Sequence, residues 1–186
     1  MFPMTGRGAR NISLSRRDPE LMITTSALSR TIAAARIATS VFFLMFGEYK
    51  VAGPGFAHGG FQTYLHDYIG NGAVSFYRPI LSALVLPHAV FFGYLVGVIE
   101  LLVGVSLLIG FWVRPASVLG ILFLINLTLA AWWEPGHGAP LWRYFGARLD
   151  TLPLMLLLVI FFAADAGRVW GLDGRRPGNR SSSVGQ

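Results

Sequence analysis

The 186-residue chain contains no cysteine, which removes disulfides, thiol catalysis, iron–sulfur ligation and thiolate metal sites together. Redox chemistry by this chain therefore needs a borrowed cofactor. Charge is also scarce: 13% of residues are Asp, Glu, Lys or Arg against 54% hydrophobic, a balance rare in soluble domains. No basic surface interleaved with aromatics of the RNA-binding kind is present, so nucleic acid is not an expected partner. What the sequence has instead is uninterrupted apolar blocks, long enough to cross a bilayer core of roughly 30 Å. The chain reads as an integral membrane protein.

Four blocks stand out: Thr31 to Val51, His88 to Trp112, Pro115 to Trp133 and Thr151 to Trp170. Each holds about 19 to 25 residues, enough to span at 1.5 Å of rise per residue. Backbone amides in lipid find no water, so spans must be helices or closed barrels, and unbroken runs select helices over the alternating pattern of barrels. The expected fold is all-α, a four-helix transmembrane bundle. A shorter apolar segment, Phe76 to Leu86, is bounded by Arg78-Pro79 and Pro87. At about 11 residues it reads as an interfacial or re-entrant helix in the first outer loop.

Three regions follow: an arm at 1–30, the bundle at 31–173 and a basic tail at 174–186. The tail, rich in Gly, Ser and Arg, reads as disordered. In the arm, a helix is expected to start near Pro19, with the segment to Ala27 lying along the membrane surface or on a partner. Thirty mostly polar residues precede the first block, which argues against a cleaved signal despite the small residues at Val51-Ala52-Gly53. Arg7, Arg10, Arg16, Arg17, Arg30, Arg114, Arg168, Arg175, Arg176 and Arg180 fall on one side of the spans, against Arg78, Arg143 and Arg148 on the other, with Lys50 at the boundary. By the positive-inside rule both termini are cytoplasmic. The net charge of +6 then reflects topology and contact with anionic lipid head groups.

One acid interrupts the greasiest stretch, GYLVGVIELLVGVSLLIG at 93–110. Glu100 is twelve residues from either end of the second block, about 18 Å of helix each way and near the midplane. A carboxylate facing lipid there costs about 2.5 to 3.5 kcal/mol or more, so Glu100 is expected to face inward. Gly93, Gly97, Glu100 and Gly104 form one stripe at helical spacing, and glycines on that stripe let a neighbouring helix approach closely. Asn126, at midplane depth in the third block, is the first candidate partner, then Lys50 with its flexible stem, then Arg36 from below. A protonated, neutral and hydrogen-bonded Glu100 fits the sequence equally well.

Elsewhere the bland readings prevail. Asp165 lies three residues before Arg168 and reads as half of a helix-end ion pair. His88 reads as an interface residue. In the outer connections, His58, His66, Asp67, Glu134, His137 and Asp150 match no metal-ligand spacing, and no metal site is expected. An interfacial aromatic belt accounts for Tyr64, Tyr68, Tyr77, Trp132, Trp133, Trp142 and Tyr144 without a ligand.

The run FGEYKV, then IELLVGVSLLIGFWVRPAS with its intramembrane acid and Arg-Pro-Ala turn, then DAGRVWGLD together resemble the DoxX family of small bacterial membrane proteins, whose relatives include the DoxD-type small subunits of thiosulfate:quinone oxidoreductase. The resemblance covers about residues 30 to 173. The positions that match are Arg36, Gly47, Lys50, Glu100, Gly104, Gly110, Arg114, Gly167 and Asp173. It implies a four-helix bundle in the bacterial plasma membrane, associated as an accessory subunit with quinone-linked or other redox systems. The longer arm and longer outer connections depart from the family pattern and put the usual partner in doubt.

Three functions from different classes remain. In the first, the bundle is a quinone-linked oxidoreductase subunit: Glu100, with Lys50, moves the proton, Asn126 and Arg36 serve the quinone or the polar centre, and a partner chain supplies the flavin, haem or metal this chain cannot hold. In the second it is a structural subunit at the edge of a larger membrane complex. The third, a small transporter, wants several intramembrane charges lining a path and discontinuous helices, whereas one deep charge is found.

Overall fold

The computed structural model describes residues 19–53, 55–132 and 151–175, with side chains from residue 25 onward. The outer-connection residues Trp133, Glu134, His137, Trp142, Tyr144 and Asp150, most of the arm, and the tail beyond Arg175 lie outside the described residues.

Every regular element described is helical. Helix α1 is Pro19–Ala52, α2 is Phe61–Asp67, and α3 is the short turn Arg78–Ile80. Helices α4 (Ala89–Ile109), α5 (Val113–Ala130) and α6 (Thr151–Ala163) complete the set. Among the described residues, three segments are long and apolar enough to cross a membrane: Thr25–Ala52, Arg78–Ile109 and Val113–Ala130. The first lies within α1. No glycine or proline interrupts the chain from Glu20 to Phe46, and the Ser29 and Thr31 hydroxyls bond back to the carbonyls of Thr25 and Ala27. The helix expected to start near Pro19 therefore does so, and residues 19–30 are continuous in helix with the first span.

Two further expectations change. The Phe76 to Leu86 segment is not set apart: from Arg78 the chain runs through a π-helical stretch, Leu81–Val85, and a 3-10 turn, Leu86–His88, directly into α4. Pro87 sits in the first turn of that 3-10 piece, where its missing N–H is tolerated, and the bend is absorbed at His88 (φ −116°, ψ 31°). The fourth block holds only 13 helical residues among those described, about 20 Å of helix. It stops at Ala163 because Asp165 takes a left-handed φ of 50° and the chain then turns.

Helix α1 lies along α4, α4 against α5, α5 against α6, and α6 returns to α1. Between them sits a core of Phe43, Val103, Leu107, Val113, Leu124, Leu158 and Phe161. A second cluster, Leu65, Tyr77, Leu81, Ala89 and Ala130, gathers where the residues after α1 fold over the far end of α4 and α5. The expected glycine stripe faces α1. A Cβ at Gly47 would sit 2.9 Å from the Gly97 carbonyl oxygen and the Leu101 nitrogen, and one at Gly104 would sit 2.8 Å from Leu44. This close approach positions the polar groups described next.

Candidate functional site

Lys50 is in the last turn of α1, one turn beyond Gly47 and against Gly97. The missing side chains at 47 and 97 let the two helices close enough for Lys50 Nζ to form an ion pair with Glu100 Oε1. Glu100 is 5% exposed, so the inward orientation read from the sequence is what the fold adopts. Its other oxygen, Oε2, is buried and has no hydrogen-bond partner among the described residues. The ammonium lies 5.8 Å from the ring centroids of both Phe46 and Phe56, and cation–π attraction adds to the ion pair in this water-poor place. Phe56 is buried while Phe46 is half-exposed on the outer face of α1. A chain turn brings Phe56 there, and Ala57 seats against Gly93 at the upper end of the stripe.

Glu100 is therefore partnered by Lys50 rather than Asn126, the first candidate from depth alone. Asn126 instead donates Nδ2 to the hydroxyl of Tyr77, which is buried at 9% exposure rather than standing in an aromatic belt. Burial pushes the Tyr77 phenol above its usual range, and the Asn126 bond opposes the rise, so the ring stays neutral at physiological pH. Tyr64 is half-exposed, as a belt residue is expected to be. His58 meets the hydroxyl of Tyr94 at 3.2 Å. Among the described residues no three His, Asp or Glu side chains gather where they could hold a metal.

Arg36 also has a different role from the one expected. It is fully buried, about 21 Å along α1 from Lys50. Its Nη1 donates to the carbonyl of Leu107 at 2.5 Å, and its Nη2 to that of Trp170 at 3.1 Å. These contacts follow from helix chemistry: the last carbonyls of α4 lack intrahelical donors and carry the negative end of the dipole, which a cation satisfies. The opposite case stands beside it. Asp173 accepts from the backbone N–H groups of Trp112 and Val113, both at 3.0 Å, at the start of α5. Its own N–H donates to Gly110 at 2.9 Å. Gly110, in the left-handed region at φ 66°, ends α4 and lies so close to Arg36 and Gly171 that no side chain fits. DAGRVWGLD is thus the clasp that returns under the α4–α5 turn. On its flank Arg168 pairs with Asp165 at 2.6 Å, the expected helix-end pair, and Arg114 approaches the same carboxylate at 3.9 Å.

Sequence reasoning missed Phe56 and the capping by Asp173. Phe46 was legible, standing one turn before Lys50 on the same helix. Phe56 and Asp173 reach their places by chain reversals that no spacing encodes.

The arrangement at Glu100 is a buried carboxylate tied to Lys50 through one oxygen, with the other taking no hydrogen bond among the described residues, enclosed by helices and aromatic rings. The arrangement at Arg36 and Asp173 is a structural clasp. Comparison with curated proteins and comparison with solved structures each find no match. A comparison with protein families matches residues 31–133 to DoxX, a range that holds α4, α5, the Lys50–Glu100 pair and Arg36, and the chain is a multi-pass membrane protein belonging to the DoxX family.

Proposed function

We propose that this protein is a membrane subunit of a quinone-linked redox complex, in which Glu100 and Lys50 handle the proton. In this reading the chain crosses the bilayer four times, with both termini and the Arg36 clasp on the cytoplasmic side, as its Lys and Arg distribution favours. The observation that carries the reading is the buried, unpartnered Oε2 of Glu100 beside a lysine already paired to Oε1. An intramembrane acid is a functional candidate by default, and this one keeps an open acceptor.

A quinol fits that donor set: its hydroxyl is the hydrogen-bond donor Oε2 lacks, and half-exposed Phe46 stands on the lipid side. A bound quinol would supply two electrons and two protons, the electrons passing to a cofactor on a partner chain and the protons leaving one after the other through Glu100 to water. Glu100 accepts each proton at Oε2, and Lys50 holds Oε1 in place. Phe56 excludes water from the ammonium's other side. Asn126 and Arg36, occupied at Tyr77 and at the clasp, position helices instead of touching the quinol.

A structural subunit without chemistry is the second reading, favoured by the same ion pair acting only as a tie between α1 and α4. Glu100→Gln separates the two, because it keeps shape and hydrogen bonding but cannot exchange the proton. Quinol-dependent turnover in membranes is expected to fall about 10²-fold, the usual size of a general-base effect, with the complex still assembled. Unchanged turnover with intact assembly overturns the proton-handling role. Purification in mild detergent checks the partner: co-purifying chains are expected, and a chain that elutes alone and stable speaks against a subunit role.

A further inference from the structure

At the clasp end, outside the Glu100 site, an open cleft of about 400 Å³ lies between the end of α4 and the returning chain. Ile109, Trp170 and Leu172 form its apolar wall, and Arg168 and Arg175 its basic one. Both arginines are exposed. Arg168 uses Nε on Asp165. The other carboxylate nearby, Asp173, is turned to the α5 backbone, and the charged side chains that line the cleft are the two arginines.

The walls are built rather than incidental. Trp170 is held at φ 53°, a left-handed conformation that is strained for any side chain but glycine. Its carbonyl is fixed by Arg36, and its ring is 60% exposed. Ile109 and Leu172 are 43% and 42% exposed beside it. Gly171, the next residue, packs on Gly110 with no room for a Cβ, and a 3-10 turn, Leu172–Arg175, then carries Arg175 round to the basic wall. The clasp thus holds a strained tryptophan outward at the end of the membrane-spanning helices, where indole rings favour the headgroup level.

We propose that this cleft is a binding site for one anionic phospholipid, the phosphate between Arg168 and Arg175 and an acyl chain along Trp170, Ile109 and Leu172. The arginine pair alone would suit free phosphate, since guanidinium recognises phosphate oxygens in general. The apolar wall selects the lipid, because a free anion gains nothing from three exposed hydrophobic side chains. A basic pocket at the end of transmembrane helices on the positive side is where acidic headgroups concentrate.

The full-length protein is reconstituted in nanodiscs of phosphatidylcholine containing a small fraction of either phosphatidylglycerol or cardiolipin, then released and analysed for retained lipid by native mass spectrometry. Wild type is expected to keep about one anionic lipid in preference to phosphatidylcholine. Arg168→Gln with Arg175→Gln is expected to weaken that preference roughly 30-fold, and Arg175→Gln alone about fivefold, from the usual contribution of a basic residue near an anionic surface. The single variant touches an exposed side chain with no ion pair among those described, so it reports even if the double variant misfolds. Millimolar inorganic phosphate is expected not to displace the lipid. Equal retention of neutral and anionic lipids, equal retention by wild type and the single variant, or displacement by free phosphate overturns the proposal.

Discussion

Two cations on α1, Arg36 buried and Lys50 partly buried, do opposite things because of what faces them. Lys50 meets a carboxylate that can gain and lose a proton, whereas Arg36 meets carbonyls that cannot. A guanidinium stays charged and presents a fixed fork of donors, which suits a permanent clasp. Arg36→Gln removes the charge and most donors from a fully buried place, leaving the ends of α4 and the returning chain unsatisfied. Breaking such a buried charged network destabilises by about 3 to 5 kcal/mol, and a marked fall in thermal midpoint in detergent is the expected reading. That Glu100 faces inward was legible in the sequence, since lipid exposure of a midplane acid is too unfavourable. That Lys50 is its partner was legible only as a second choice behind Asn126, because residue counting put Lys50 at the span boundary, while the close approach of α1 at Gly97 brings it to Glu100.

At the scale of elements, the pairing of α1 with α4 is the part most readable from spacing. Gly93, Gly97 and Gly104 repeat on the face that carries Glu100, and all three are buried where α1 and the Ala57 segment pack. Gly97→Leu drives a side chain into Val51 and the Lys50 stem, positions within 2.9 Å of its Cβ. Overpacking of this kind costs about 1 to 3 kcal/mol, and here it also separates Lys50 from Glu100, so stability and quinol-dependent turnover are expected to fall together. Asp173→Asn tests the clasp: weakening the cap on two N–H groups at the start of α5 is expected to lower stability by about 1 kcal/mol, with turnover per folded molecule unchanged. The stretch from Phe76 to Leu86 was less legible. Its prolines mark boundaries in a sequence reading, yet Pro79 and Pro87 both fall in first turns, where they start helix rather than stop it. The length of the fourth helix was less legible too, since the block reads on to Trp170 while the helix ends at Ala163, just before a left-handed Asp165.

For the whole molecule, composition alone announced a membrane protein built of helices, and the three long apolar segments agree. The proposed orientation is open to a direct test, because the chain has no native cysteine and a single one introduced at Ser182 or Ser75 is the only label site. Membrane-impermeant maleimide on right-side-out vesicles is expected to react at 75 and spare 182; the reverse pattern inverts the topology. What ties these scales together is the ion pair that joins α1 to α4 in the bundle's interior, and a double-mutant cycle measures it most directly. Glu100→Gln, Lys50→Met and the pair of changes together are compared with wild type by thermal unfolding in detergent. Each single change leaves a buried group without its partner and is expected to destabilise by roughly 3 kcal/mol, while the double restores most of the loss because no unpaired charge remains. Losses that simply add would mean that the two side chains do not meet, and would contradict the site from which the function is argued.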